Sequence, residues 1–557
     1  MTMANAAIWY APDGYDPKSR GINGRRVAGE SFLRGLFMHS SAEELVCLTQ
    51  SQTGEEALRT FAAREGVTRP LRVARHAAPE QIAPVDVVYY PSPNFATRCW
   101  QRASLGAAAY ALCGITHTIS TRAIMQGMFD LRTAPQMPWD AVICTSKAAH
   151  ASLMAQMELS DDWLASRFGG TLPPRPLLPV IPLGINCDDF IPDSAAGKAL
   201  RERLGIAENE VACAIIARLT PHDKFDPLPL YIALAQAQRQ AGRTFHLLLY
   251  GQFPDSYSRR IFTDGARALM PEVGFHLLDG ADAAGRKATL SGADLFLFPI
   301  DNVQETFGLA PIEAMAAGLP VIVTDWSGMK DTVPASAGFR TPTETARSDL
   351  TTWLGQRHFD ETDSHNQYLG QLSALTRIDL RALTAALVAL AGNPGLRMRM
   401  GRAAQAHARA SYDWKAVIPA YEALWAEQSA MLGRVRAGGS EPPPLQAARI
   451  PPHPAPGAFF SGYPSRSGPN LHSRFRATPA ATTLPSVLEM LMLRDYAALK
   501  RMIAAPGQIE ALLTAVAAAG SAGATLQDLA RNAHLPERPA SRAILWLLKY
   551  GYVEEAE

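Results

Sequence analysis

The amino-acid sequence predicts an α/β protein with two parallel β-sheets that are covered by helices. Short apolar runs alternate with amphipathic stretches up to about residue 430, and such strand–helix alternation is typical of parallel sheets. The apolar runs outnumber the strands that a single sheet usually contains. We therefore place a break near the segment PLGINCDDFIPD and predict two sheets of the same kind.

The predicted strands are short apolar runs between turn signals. In chain order they are AAIWYAP, PVDVVYYP, AVICTS, LLPVIPLGI, VACAIIARL, TFHLLLYG, VGFHLLDG, ADLFLFPI and LPVIVTD. Stretches such as PLYIALAQAQRQAG lie between them and have the pattern of amphipathic helices. The pattern predicts a first domain over residues 1–185, a second over residues 186–400 and further helices over residues 401–433.

The composition changes from Arg434 onward. Eleven prolines lie between Pro442 and Pro485, and this density predicts a flexible or polyproline-like linker over residues 434–483. Residues 484–557 are helical again, and their pattern resembles a winged-helix unit that lacks its wing. This region has seven Lys and Arg against eight Asp and Glu, whereas phosphate binding needs clustered cations. We expect the C-terminal domain to serve packing or self-association and expect no nucleic acid.

The overall charge and the cysteines exclude several classes of protein. The 557 residues contain 53 Lys and Arg against 52 Asp and Glu, which gives no reason to expect nucleic acid or an anionic membrane as the main partner. The six cysteines include no C-x-x-C pair, so neither a zinc site nor a disulfide framework is expected. The opening MTMANAAIWYAPDGYD lacks the order of a signal peptide. The expected location is the cytoplasm, with a peripheral position at the inner face of the membrane as a variant of it.

Two glutamates eight positions apart form the most informative motif. Glu305 follows the strand ADLFLFPI on a loop, and Glu313 lies in the first turn of the helix that Pro311 begins. In open α/β sheets this edge binds ligands, and the start of a helix suits a diphosphate. A carboxylate accepts two hydrogen bonds from a ribose diol, and a second carboxylate suits a sugar. The spacing therefore fits a nucleotide-sugar, although a helix-end charge and a solvated loop charge are the alternative.

The string ETFGLAPIEAMAAGLPVIVTD resembles the E-x7-E signature of the retaining glycosyltransferases of family 4, which have the GT-B fold. VIPLGINCDDF resembles the interdomain segment of that family, AIIARLTPHDKFD its phosphate clamp, and WDAVICTSKAAH the end of its first domain. The resemblance covers roughly residues 4–430. It implies that Glu313 binds the ribose and Glu305 the donor sugar. It also implies that the amides of Phe307, Gly308 and Leu309 line the diphosphate and sugar.

Two cations follow the strand VACAIIA. Arg218 and Lys224 at a strand end can neutralise a diphosphate leaving group without a metal, and the sequence contains no Asp-x-Asp motif. Their spacing is one residue longer than the family pattern, and surface cations after a strand are the alternative. The resemblance also implies that His117 faces the donor sugar, whereas a lone histidine is more often structural.

The segment RGINGRRVAGESFLRGLF follows the first strand. Its glycines allow a tight loop and a close helix approach. The family has a glycine loop here that touches phosphate and acceptor, so Gly24 and Asn23 are candidate binding residues. The segment lacks the family's Gly-Gly pair, and a plain strand-to-helix turn is the alternative.

These observations together predict a GT-B glycosyltransferase with no cofactor and no metal. We expect it to move a hexosyl group from a nucleotide-diphosphate sugar to a hydroxyl acceptor, a sugar or a lipid-linked sugar, with retention. Polysaccharide or glycolipid synthesis is the setting that the resemblance implies. One alternative is a nucleotide-sugar epimerase or a phosphorylase on the same fold. Another is a non-catalytic regulator or scaffold that acts through the winged-helix-like tail.

Overall fold

The computed structural model describes residues 5–15, 24–439, 442–446, 449–465, 468–494 and 504–556. The chain folds into two compact units, residues 1–446 and residues 447–557. The larger unit contains two six-stranded sheets, and every strand pair within them is parallel. The prediction of two parallel sheets is therefore confirmed.

The first sheet belongs to the amino-terminal domain, and its strands are almost wholly apolar because helices cover both faces. Its strands are β1 (Ala7–Tyr10), β2 (Leu45–Thr49), β3 (Leu71–Arg75), β4 (Val87–Tyr89), β5 (Ala111–Ile115) and β6 (Ala141–Ile143). Its helices are α1 (Pro12–Tyr15), α2 (Gly24–His39), α3 (Gln52–Arg64), α4 (Ala96–Ala103), α5 (Arg122–Thr133) and α6 (Lys147–Phe168), with a 3-10 turn at Pro79–Ile82.

The prediction of a strand at LLPVIPLGI is wrong. That stretch is extended and touches β6 at single bridges, Ala141 to Leu177 and Cys144 to Val180. Pro179 and Pro182 lack the N–H groups that a continuous ladder requires, so the chain passes along the edge of the sheet without joining it as a strand.

The second sheet follows a 3-10 turn at Cys187–Phe190. Its strands are β7 (Val211–Ile216), β8 (Phe245–Gly251), β9 (Gly274–Asp279), β10 (Leu295–Phe298), β11 (Val321–Thr324) and β12 (Gly338–Thr341). Its helices are α7 (Ser194–Leu204), α8 (Pro227–Ala241), α9 (Ser256–Leu269), α10 (Ala283–Gly292), α11 (Leu309–Ala316) and α12 (Met329–Thr332).

The two sheets share one strand order. The first runs β3-β2-β1-β4-β5-β6 and the second β9-β8-β7-β10-β11-β12, so each has the order of a Rossmann-like domain. In such sheets the connections change direction between the first and fourth strands, and the crevice there binds ligands. In the second sheet this crevice lies between the loops that follow β7 and β10.

A two-stranded antiparallel sheet and five helices complete the larger unit. They are β13 (Thr343–Thr345), α13 (Ser348–Phe359), α14 (His365–Ala374), β14 (Thr376–Ile378), α15 (Leu380–Gly392), α16 (Pro394–Ser411) and α17 (Trp414–Gly438). Helix α17 packs back on the first domain, where the Trp414 indole donates to Ser31 Oγ at 2.8 Å. Gly35 makes this approach possible, because a Cβ there would collide with Trp414.

The C-terminal unit begins earlier than the sequence predicts. Strand β15 (Arg474–Ala477) lies within the predicted linker, yet it pairs antiparallel with β16 (Ala524–Thr525) and β17 (Val553–Ala556). Phe475 in β15 is fully buried in the core of this unit, and this burial stabilises the strand. Because prolines lie on both sides of β15, the sequence predicts a linker here. The helices of the unit are α18 (Pro456–Phe459), α19 (Val487–Arg494), α20 (Pro506–Ala518), α21 (Leu526–Asn532) and α22 (Glu537–Lys549), with a 3-10 turn at Pro479–Thr482.

Two further features concern the whole chain. Within the ranges given above, no helix is long and apolar enough to cross a membrane. All six cysteines are buried and have free thiols. Burial raises the pKa of the Cys47 thiol to about 12, so this sulfur remains protonated and behaves as a core side chain.

Candidate active site

The loops after β7 and β10 bring an ammonium group against a carboxylate. Lys224 Nζ donates to Glu305 Oε2 at 2.5 Å, and both side chains are largely buried. The Lys224 ammonium also lies 5.2 Å from the centre of the Phe298 ring. Two of the sequence-predicted site residues thus form one ion pair. It lies beside β7 and β10 of the second sheet, where the direction of the connections changes.

Glu305 is also bound by the start of helix α11. The amides of Phe307 and Gly308 donate to its Oε1 at 3.3 and 2.9 Å. Gly308 has a φ of 90°, a conformation that favours glycine, and this turn lets both amides point at one oxygen. Burial alone would raise the pKa of Glu305, but the Lys224 ammonium and the two amides outweigh it and hold that pKa below its ordinary value.

Arg218 is engaged separately from Lys224. Its Nη2 lies 2.7 Å from Asp223 Oδ2, and the Arg218 side chain is about half exposed. The other oxygen of Asp223, Oδ1, is buried and has no hydrogen-bond partner in the part of the chain that the structure describes. The guanidinium therefore lies at the mouth of the site, while the ammonium lies inside it.

Glu313 is paired with an arginine that the sequence did not single out. Glu313 is 5% exposed, and its Oε2 accepts a hydrogen bond from Arg286 Nη2 of helix α10. The Glu313 carboxylate raises the pKa of the Arg286 guanidinium, which also lies 5.5 Å from the centre of the Phe190 ring. No local motif marks Arg286, because its partner lies 27 positions away along the chain.

A cleft of about 300 Å³ lies between the Glu313–Arg286 pair and the first domain, and the Lys224–Glu305 pair does not line it. Glu313, Arg286 and Leu309 line one side, and residues of α2 and the end of α3, among them Glu30 and Arg64, line the other. Leu309 is the first residue of α11, so the predicted amide at this position lies at the opening of the helix. The cleft thus contains cations and carboxylates from both domains.

Of the remaining predicted residues, His117 and Gly24 belong to the first domain. His117 is half-buried and follows β5, and its carbonyl accepts a hydrogen bond from Thr306 Oγ1 of the second domain. Gly24 is the first residue of α2, and Asn23 lies outside the described residues. The structure therefore brings His117 to the loop that carries Glu305.

The comparisons with known proteins concern the part of the chain that contains these carboxylates and cations. Residues 212–351 match the family model described as Glycosyl transferases group 1, and this range contains Arg218, Lys224, Glu305 and Glu313. Over this range the chain is similar to the glycosyl transferases group 1 family. The predicted relationship is therefore confirmed at the level of group 1, and the assignment to family 4 stays a prediction.

Two curated proteins that this chain resembles are named as glycosyltransferases. D-inositol 3-phosphate glycosyltransferase of Nocardia farcinica is 29% identical over 219 residues, which is 38% of this chain and 44% of the relative. A GDP-mannose-dependent monoacylated alpha-(1-6)-phosphatidylinositol monomannoside mannosyltransferase of Corynebacterium glutamicum is 24% identical over 256 residues, 45% of this chain and 56% of the relative. The chain thus spans about half the length of the curated relatives it matches.

Solved structures resemble this chain at low sequence identity. A glycosyltransferase of Rickettsia africae is 13% identical with a TM-score of 0.47, and the match covers 76% of this chain and 98% of that one. Anabaena HepE in complex with UDP is 16% identical with a TM-score of 0.44, covering 76% and 98% of the two chains.

Proposed function

We propose that this chain transfers a hexosyl group from a nucleotide-diphosphate sugar to a hydroxyl acceptor with retention of configuration. The observation that carries the proposal is the ion pair of Lys224 and Glu305 within the range that matches group 1, at the point where the sheet changes direction. This crevice is where open α/β sheets bind nucleotides. In this proposal Glu313 accepts the ribose hydroxyls, and the start of α11 faces the diphosphate and the sugar.

The reaction then follows from charge development. As the bond between the anomeric carbon and the phosphate oxygen breaks, negative charge grows on the departing diphosphate. Arg218 and Lys224 stabilise that charge. The acceptor oxygen attacks the anomeric carbon on the same face, and its proton moves to the departing phosphate oxygen. No cofactor takes part, and the two cations take the place of a metal ion in this scheme.

Polysaccharide or glycolipid synthesis is the proposed setting. The names of the curated relatives support it, since one acts with D-inositol 3-phosphate and the other on a phosphatidylinositol mannoside. A lipid-linked acceptor would bring the protein to the inner face of the membrane, in line with a peripheral location.

A product assay with and without acceptor tests this function. The chain is incubated with UDP-, GDP- or ADP-hexoses and an inositol phosphate or phosphatidylinositol acceptor, and glycosylated acceptor is followed by mass spectrometry. Transfer should persist in excess EDTA, and the anomeric configuration of the product is read by NMR. An isomerised donor without acceptor would instead indicate an epimerase, and sugar phosphate formed from inorganic phosphate would indicate a phosphorylase. Activity that requires added Mg²⁺ would contradict the metal-free scheme.

A further inference from the structure

The residues on either side of Glu305 both point at the first domain. Gln304 Oε1 accepts hydrogen bonds from Thr118 Oγ1 at 2.9 Å and from Ser120 Oγ at 2.7 Å. Thr306 is also bound there, because its carbonyl accepts from Ser146 Oγ at 2.8 Å. Glu305, which lies between these two residues, instead contacts Lys224 of the second domain.

Gln304 also contacts a helix beyond the group 1 match. His365 Nε2 of α14 lies 3.3 Å from the same Gln304 Oε1, and the family match ends at residue 351. Burial lowers the pKa of His365, so the imidazole is neutral near pH 7 and its Nε2–H tautomer donates to Oε1. One amide oxygen therefore joins the first domain, the second domain and helix α14.

The start of the loop is held on the second domain. The Trp326 indole donates to the carbonyl of Asn302 at 3.0 Å, and the Asn302 side-chain amide donates to the carbonyl of His222 at 2.5 Å. The loop is thus held on the second domain at Asn302 and on the first domain at Thr306. The Gln304 side chain lies between these two points and contacts both the first domain and α14.

We propose that Gln304 is a positioning residue through which the first domain and helix α14 fix Glu305 for the transfer step. The inference rests on the proposed function, but its structural part is independent of it. Glu313 and Arg286, at the ribose end of the proposed site, both lie on the second domain and outside this contact, so ribose binding does not depend on Gln304. Loss of Gln304 should therefore lower the rate of the transfer step far more than it weakens nucleotide binding.

Replacing Gln304 by Leu tests the rate. Gln304→Leu should lower kcat by about 10²-fold, the scale of a reacting group misplaced by an ångström, while the Kd for the nucleoside diphosphate, measured by calorimetry, should change far less. Gln304→Glu keeps an oxygen for the three donors and should recover most of the lost rate. The matched control is Gln356→Leu on the exposed surface of α13, which should behave as the wild type. Equal losses of kcat and nucleotide affinity in Gln304→Leu would overturn the proposal.

A double-mutant cycle tests the contact itself. Thr118→Val combined with Ser120→Ala removes the donors of the first domain, and adding Gln304→Leu to that pair should cost little more than either change alone. Full additivity would overturn the proposed link between the domains.

Hydrogen exchange tests the positioning even if no sugar is transferred. The amides of Phe307 and Gly308 donate to Glu305, so their exchange reports the position of its carboxylate. In Gln304→Leu the peptide over residues 301–309 should exchange several-fold faster, whereas a peptide over β8 should not change. Unchanged exchange in the 301–309 peptide would overturn the proposal, and a wild type without transfer would separately overturn the proposed function.

Discussion

Arg286 binds Glu313, the carboxylate that the sequence assigns to a ribose. Arg286 lies on α10, and the start of that helix is held in place by Tyr250. The Tyr250 hydroxyl donates to the carbonyl of Asp282, the residue before α10, at 2.8 Å. Asp282 then caps the helix by accepting from the amide of Ala284 at 3.1 Å. The contacts of α10 therefore hold Arg286 against Glu313. One oxygen of the Glu313 carboxylate is already bound before a ribose binds.

The first prediction concerns this carboxylate. Glu313→Gln removes the charge while keeping the shape, and loss of a charged hydrogen bond should weaken nucleoside diphosphate binding by about 1–3 kcal/mol. Isothermal titration calorimetry with UDP and GDP measures the change. Glu344→Gln, which alters a surface pair with Arg377, is the matched control. An unchanged Kd in Glu313→Gln would show that the ribose binds elsewhere.

The second prediction concerns Asp301, which is 3% exposed and accepts from Ser373 Oγ at 2.8 Å. Burial raises the pKa of Asp301 from 3.8 to about 7. Between these two values the unfolded chain has lost a proton that the folded chain keeps. Unfolding there releases a proton, so this group makes the protein less stable as the pH rises from about 4 to 7.

Asp301→Asn removes that titration and still offers an oxygen to Ser373. The variant should therefore gain stability relative to the wild type at pH 8 compared with pH 5, by roughly 2–3 kcal/mol. Urea unfolding at the two pH values measures the difference. The same relative stability at both values would mean that Asp301 is ionised throughout in the folded protein.

The parts of the site that the sequence predicts are those set by local pattern. The run ADLFLFPI, the loop and the short helix place Glu305 and Glu313 at one sheet edge, because apolar period and turn residues are local signals. The partners of these carboxylates depend on tertiary packing. Arg286 and Gln304 carry no motif, and Gln304 meets Ser120 from 184 positions away.

The same reasoning explains the error in the proline-rich region. In RFRA the apolar Phe475 alternates with arginines, which is the pattern of a half-buried strand, but four residues are too few to outweigh the prolines on both sides. Only the pairing of β15 with β17, more than seventy positions away, shows that this segment is ordered. Sequence composition therefore placed the start of the C-terminal unit too late.

The third prediction concerns truncation. Helix α17 continues beyond residue 433, and Arg436 Nη1 lies 2.7 Å from Asp86 of the first domain. The amide of Leu445 donates to the carbonyl at the end of α4 at 2.7 Å. A chain that ends at residue 446 should therefore stay soluble with an unchanged Tm for the larger unit, and one that ends at 433 should have a lower Tm. Thermal melts and size-exclusion chromatography compare the two chains.

Light scattering on the full chain and on the chain ending at residue 446 measures self-association. If the C-terminal unit joins two copies, the full chain should have about twice the mass of a monomer by light scattering, and the chain ending at residue 446 should be monomeric. Equal oligomeric states would remove that role from the C-terminal unit. An insoluble product of the 446 truncation would mean that the larger unit needs residues beyond it.

The last prediction concerns Lys224, whose ammonium serves two partners in turn. Without ligand it binds Glu305 at 2.5 Å, and in the proposed reaction it stabilises the leaving diphosphate. A cation that acts on charge appearing only in the transition state raises kcat more than it lowers KM. Lys224→Ala should therefore lower kcat by roughly 10²–10³, the scale of one preorganised group removed. Lys198→Ala on the exposed face of α7 is the matched control.

The pH profile separates the two roles of Lys224. The ammonium and two amides hold the pKa of Glu305 down against its burial. Without the ammonium, burial is opposed only by the amides, so the carboxyl gains a proton at higher pH than before. If ionised Glu305 is needed for transfer, the acid limb of kcat/KM in Lys224→Ala should move to higher pH. In Arg218→Lys that limb should stay in place, because Arg218 binds Asp223 instead, while kcat still falls because a point charge does not replace a planar fork on phosphate. A limb that moves equally in both variants would mean that the pH dependence comes from the phosphate contacts and that the charge of Glu305 does not control the rate.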